Sequence, residues 1–320
     1  MRNLALAVAA LVFVSAPLAR GGAPIDETRI TLRQEVLRLI NNDRQTHGLP
    51  AVNLDIEASA IADSYCRAQI ANGTTGHYTI DGYTPYMRYS FAGGNDGLSE
   101  NAAAWSANYH FTDRAAYEMA RRSEHAMMSE EPPHDGHRRT ILDPYATHVG
   151  IGLAWDNGEF RLTEEFIRRY VTWSRALPRA ASVDEPVSAI GRPVDGYRVE
   201  AISVHHEPIP ETMPAKVANA ITSYSLPEKR RDYLPRLRTR FHRRDDGTVR
   251  FIREEYSDGS RGDFGVADDG AFTFSVPFRE GPGVYTVVVW VTKKGDSTPI
   301  AASNISIRVD KPAYSYAGTR

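Results

Sequence analysis

Two hydrophobic periods divide this chain, and each admits a different kind of structure. Near the start, apolar residues recur at helical spacing: Leu32, Val36, Leu39 and Ile40, then Ala58, Ile61, Ala62, Tyr65 and Ala68. Towards the end they alternate, as Phe272, Phe274, Val276 and Phe278 and again as Ile305, Ile307 and Val309. Val284–Val291, apolar throughout except for Thr286, lies between those two and reads as a buried strand, and turn signals fall at Asp268-Asp269-Gly270, Gly281-Pro282-Gly283 and Lys294-Gly295-Asp296. A helix presents one face about every 3.6 residues and a strand every second residue, so one uniform architecture is excluded. A length of 320 residues accommodates two domains of roughly 100–200 residues each. The expected class is α+β: helices with a sheet first, then a small antiparallel β-sandwich of immunoglobulin-like type.

Local signals set expected boundaries. Thr31-Leu32-Arg33-Gln34 reads as a capping box opening a helix that ends near Gly48 and Pro50. Asp55 caps a second helix, closed by Asn72-Gly73. Residues 73–98, rich in Gly, Thr, Tyr and Asn, read as a long ordered loop of the kind that carries function. Helix signals resume at Thr112-Asp113, with Ala116, Met119, Ala120 and Ser123 along one side, and stop at Pro132-Pro133. His148–Trp155, the turn Asp156-Asn157-Gly158 and Phe160–Thr163 read as a β-hairpin. The first domain is expected over 24–173, a linker without periodicity over 174–195, the β-sandwich over 196–313 and a tail over 314–320.

The short basic start Met1-Arg2-Asn3, the apolar run Leu4–Val14 and the small residues leading to Ala23 have the layout of a secretory signal peptide, placed at 1–23. Ser15 and Pro17 interrupt that run short of the ~20 apolar residues a membrane span needs, so no transmembrane helix is expected in the mature chain. The expected location is secreted or periplasmic. Cys66 is the one cysteine, so no internal disulfide is possible, and it reads as a small buried apolar residue. A net charge of −2 argues against a protein whose main task is neutralising phosphates or coating anionic membrane, and no nucleotide-cradling glycine motif is present; neither nucleotide nor nucleic acid is an expected partner. The basic stretch from Lys229 to Arg244 lies in a region that also carries Pro227, Asp232, Pro235, Asp245 and Asp246, and it reads as a solvated face, with contact to a polyanion as the alternative.

Chemistry concentrates between Gly76 and Gly152, which holds six of the ten histidines. His77 lies on the glycine-rich loop, Glu100 on the segment after it and His137 beyond the helix-ending prolines. Imidazoles and carboxylates of this kind ligate zinc or a similar divalent ion, and without metal a Glu–His pair serves as base and acid. The spacing matches no local motif such as His-Glu-x-x-His or Gly-x-Ser-x-Gly.

The run Gly76-His77-Tyr78-Thr79 through Met87-Arg88, then Ser99-Glu100-Asn101-Ala102, Gly136-His137-Arg138-Arg139-Thr140-Ile141-Leu142 and His148-Val149-Gly150-Ile151-Gly152, resembles the bacterial branch of the CAP (SCP-like) superfamily. The resemblance spans residues 31–171, and it implies a three-layer α-β-α sandwich whose cleft carries a His-Glu-Glu-His tetrad that in some members binds zinc. Carried onto this chain, the candidate metal residues are His77, Glu100, Glu130 and His137, with Glu131 and Glu124 as alternatives to Glu130. Members of the superfamily are linked to proteolysis, lipid binding, glycan contact and signalling. The expectations are therefore three. The first is an exported protein with a His/Glu cleft for zinc or another divalent metal, its second domain serving attachment or partner contact. The second is a metal-free extracellular or envelope binder of lipid, glycan or protein. The third is a metal-assisted peptidase or other hydrolase. No catalytic residue is assigned.

Overall fold

The computed structural model describes residues 26–312; the expected signal peptide at 1–23 and tail at 314–320 lie outside the described residues. Helix α1 (Glu27–Thr46) starts earlier than the capping-box reading. Asp26 is the N-cap, its carboxylate accepting from Arg29 N at 3.0 Å, while the Thr31 hydroxyl donates inside the helix to Glu27 O at 2.9 Å. Strand β1 (Asn53–Leu54) precedes α2 (Ile56–Asn72). Asp55 caps α2 through Ala58 N at 2.9 Å, and Gly73 closes it at φ +67°, where a side chain would be strained.

The expected long loop holds α3 (Pro85–Phe91) and the start of β2 (Gly97–His110). Pro85 occupies the first turn, where a missing N–H costs nothing, and Tyr86, Met87 and Tyr89 are buried; a helix of 7 residues is too short for its period to stand out. Helix α4 (Asp113–Met128) is capped by Thr112, and α5 (Gly136–Ile141) follows the prolines. Strand β3 (His148–Arg168) is 21 residues long, yet Thr147 N donates to Ile167 O at 2.8 Å. At ~3.3 Å per residue a straight run would hold those ends far apart. The segment therefore folds back on itself near Gly158 (φ +76°), as the hairpin reading expects.

One arm of β3 pairs in parallel with β1 (Asn53↔His148) and the other antiparallel with β2 (Glu100↔Glu165), which leaves β2 at the edge of the sheet. Helices cover both faces. Val149, Ile151, Leu153, Phe160, Leu162 and Phe166 share a core with Leu32, Val36 and Ile40 of α1 and Met119 and Met127 of α4. On the opposite face α2 lies so close that a Cβ at Gly150 would come within 2.5 Å of Ala58 and one at Gly152 within 2.2 Å of Ala62.

The rest of the chain is mostly strand: β4 (Val171–Arg175), β5 (Ala180–Ser182), β6 (Val187–Pro193), β7 (Tyr197–Glu207), a short α6 (Ala215–Ala220), β8 (Arg230–Tyr233), β9 (Thr239–Arg243), β10 (Val249–Arg253), β11 (Gly265–Val266), β12 (Phe272–Val276), β13 (Gly283–Lys293) and β14 (Ile300–Asp310). They form a four-stranded sheet in the order β11-β12-β6-β4, a five-stranded sheet in the order β5-β14-β13-β7-β8, and a separate β9–β10 ribbon. The two larger sheets enclose one core that includes Phe272, Phe274, Val276, Tyr285, Val287, Val289, Ile305 and Ile307. The stretch read as a linker, 174–195, carries the end of β4 and all of β5 and β6. Its inward positions include Ala189, Gly191 and Pro193, too small or irregular to register as alternation.

The helical and strand-rich parts share a broad contact. Alternate residues of β13 face opposite ways: Tyr285, Val287 and Val289 enter the core between the sheets, while Val284 packs with Tyr86 and Met87 of α3. Burial on both faces explains why Val284–Val291 is apolar apart from Thr286, whose buried hydroxyl pairs with Ser306 Oγ at 2.9 Å. Ser90 Oγ donates to Ser306 O at 3.3 Å and accepts from Ser306 N at 2.7 Å, and Arg179 donates to Ser90 O, Gly94 O and Asn95 Oδ1. The Leu98 N–H donates to Asn304 Oδ1 at 2.9 Å, and a Cβ at Gly97 would lie 2.0 Å from Ala301 O.

Candidate functional site

Residues 100 and 101 of β2 point to opposite faces of the sheet, and each helical layer adds a histidine to one side. On the α2–α3 side, the loop carrying His77 is held at Gly76 O by Tyr65 Oη at 2.7 Å and Gln69 Nε2 at 2.8 Å. His77 Nδ1 meets Glu100 Oε1 at 2.9 Å. Arg88 of α3 donates to the second Glu100 oxygen and, at 3.2 Å, to His77 O, while its guanidinium carbon lies 3.4 Å from the centre of the Tyr65 ring. Glu100 is thus a buried carboxylate paired with the largely buried Arg88 guanidinium, with its other oxygen against the His77 imidazole.

On the α4–α5 side, Glu130 Oε1 meets His137 Nδ1 at 2.5 Å, and its other oxygen accepts the His137 N–H at 2.9 Å, at the start of α5. Asn101 Nδ2 donates at 3.2 Å to both His137 O and Glu164 Oε2. Both rings therefore engage a glutamate through Nδ1. His77, Glu100, Glu130 and His137 all line one cavity of about 550 Å³, together with Ser99, Asn101, His134 and Thr140. Glu131 is exposed outside that lining, and Glu124 is buried beneath the sheet. Among the described residues, no three His, Cys, Asp or Glu side chains form a group that could hold a metal. Of the other histidines in the stretch, His148 lies on β3, beside Thr147, and His110 and His125 are exposed outside the cavity lining.

The strand-rich part supplies the remaining wall. Thr222, Ser223 and Tyr224 line the same cavity. The edge-strand N–H of Glu100 donates to Tyr224 Oη at 2.6 Å, and the Tyr224 and His77 rings meet edge to face at 5.0 Å. The preceding chain clamps the His77 loop: Asn219 bonds Thr75 N and Gly73 O, and Met213 N donates to Ile80 O at 2.7 Å. Tyr224 was missed by sequence reasoning, because it stands 124 positions from its partner in a segment without a motif.

Beneath the cleft lies a group of buried acids. Glu165, opposite Glu100 on β3, has its carboxyl pushed up to about 8, mainly by burial. Its nearest cation is Arg88 at 3.9 Å, and neither oxygen has a hydrogen-bond partner among the described residues. Burial also raises Glu124 and Glu164 above the usual carboxylate range, and the charge of Glu164 pushes Glu124 further. Cys66, fully buried, donates to Thr163 Oγ1 at 3.3 Å, and burial pushes its thiol up to about 12, so it is a packing residue rather than a nucleophile.

A sheet covered by helices, with paired His–Glu groups at its free edge, is the arrangement expected of a CAP domain. Residues 37–166 match the CAP family, described as the cysteine-rich secretory protein family. The chain contains a CAP-superfamily domain. It is also similar to the crystal structure of an extracellular protein containing an SCP domain from Bacillus anthracis str. Ames, at 20% identity and a TM-score of 0.34. That similarity covers 47% of this chain and 45% of the other, so the chain spans less than half of that protein. No curated protein matches the chain. No helix among the described residues is long and apolar enough to cross a membrane.

Proposed function

We propose that this is an exported CAP-domain protein whose cleft binds a divalent metal, zinc or a similar ion, through His77 and His137. The observation that carries the proposal is the matched use of Nδ1: each imidazole rests on a glutamate inside one cavity, at 2.9 Å and 2.5 Å. A carboxylate behind Nδ1 fixes the tautomer and the ring orientation, the arrangement that suits metal-ligating histidines. In this reading Glu100 and Glu130 orient the rings, with their oxygens engaged by His77 and Arg88 and by His137. A bound ion would supply Lewis acidity to a ligand in the cleft. The strand-rich part, read as an immunoglobulin-like sandwich, completes the wall through Tyr224 and serves attachment.

The test is metal content by mass spectrometry of protein purified without added metal, beside a His77→Ala/His137→Ala variant. Near-stoichiometric metal in the parent and none in the variant is the expected result; none in either protein refutes the metal reading. A second reading, a metal-free binder of lipid, glycan or protein, is favoured by the absence of a three-donor group among the described residues. It predicts ligand binding that the double variant loses and a chelator leaves unchanged.

A further inference from the structure

The β9–β10 ribbon is the most exposed apolar feature of the described residues, and neither the cleft nor the two sheets use it. Its register places Phe241 opposite Phe251, Val249 opposite Arg243 and Arg253 opposite Thr239, so all six share one face. Phe241 is 69% exposed, Phe251 63% and Val249 50%. The other face carries His242 opposite Arg250. From Arg236 to Arg253 the sequence has seven arginines against Asp245 and Asp246. The ribbon pairs with neither large sheet but is anchored at its base, where Leu237 N donates to Arg261 O and Arg261 donates to Thr239 Oγ1.

We propose that this face docks on an anionic lipid bilayer, with Phe241, Phe251 and Val249 entering the interface and Arg243 and Arg253 meeting the headgroups. Charge complementarity selects an anionic partner, and three large apolar side chains held towards water select one with an apolar interior. An anionic polymer would use the arginines and leave the phenylalanines without a role. Bases of a single strand need open flat faces, whereas these two rings meet edge to face at 5.1 Å and 69°, a wedge rather than a platform.

The experiment is flotation of the full chain with phosphatidylcholine vesicles and with vesicles containing about a third phosphatidylglycerol. Binding is expected for the anionic vesicles. It should weaken about tenfold in Phe241→Ser/Phe251→Ser, and by about thirtyfold in Arg243→Gln/Arg253→Gln, roughly fivefold for each arginine. Unchanged melting temperatures are expected for both variants, because the altered side chains are exposed. In a third variant, Phe251→Trp, indole emission should move to shorter wavelength when anionic vesicles are added. No binding to anionic vesicles, or full binding by the phenylalanine variant, overturns the proposal. Tighter binding to heparin or single-stranded DNA with no indole shift overturns it in favour of a polymer.

Discussion

Replacing Glu165 with Gln should flatten the dependence of stability on pH, and the structure sets the size of the effect. The carboxyl is buried without a hydrogen-bond partner among the described residues and is pushed from 4.5 to about 8. The folded protein therefore keeps this proton while the unfolded chain releases it. With more protons bound to the folded state, stability falls as pH rises through that window. Each unit costs about 1.4 kcal/mol, so the whole window amounts to about 5 kcal/mol and the interval from about pH 5 to about pH 7 to about 3 kcal/mol. At roughly 2 °C per kcal/mol for a chain of this size, the parent should lose about 5 °C more than Glu165→Gln between those two pH values. Glu124 and Glu164 shift in the same direction in both proteins and cancel in the comparison. The assay is thermal melting followed by circular dichroism at both pH values. Parallel behaviour of the two proteins would mean that Glu165 is already ionised in the fold, and the reasoning from burial would fail.

Other substitutions test the rest of the construction. Tyr224→Phe removes the acceptor for the buried Glu100 N–H and should cost about 1–3 kcal/mol in denaturant unfolding, with the fold retained. Arg44 is fully buried and donates to the carbonyls of Pro50, Ile141, Asp143 and Ala146, so Arg44→Met should cost about 3 kcal/mol or more by the same assay. Gly97→Ala places a Cβ 2.0 Å from Ala301 O and should lower the melting temperature of the whole chain, since β2 and β14 must part to accept it. An unchanged melting temperature there would mean that the two parts do not depend on this contact.

Periodicity and capping chemistry made much of the helical part legible before any coordinates. Asp55 and Gly73 bound α2 as read, Thr112 opens α4, and the Asp156-Asn157-Gly158 turn lies where β3 reverses, because each of these signals acts within a few residues. Short elements escaped for the same reason: α3 and α5 have 7 and 6 residues, and the small inward residues of β6 resemble a linker. For the site, the resemblance drew attention to His77, Glu100, Glu130 and His137, and the fold brings all four to one cavity. Which glutamate faces it was a tertiary decision. Glu124 and Glu130 share one stretch of chain, but helix phase sends the first into the core, while the second, beyond the end of α4, reaches His137. The roles of Arg88 and Tyr224 also had no local signature. What the residues alone determine is what their neighbours in the chain can enforce: period, caps and turns. Packing decides which charges are neutralised, which acids keep their protons and which distant hydroxyl satisfies an edge strand, because desolvation depends on everything that closes around a group.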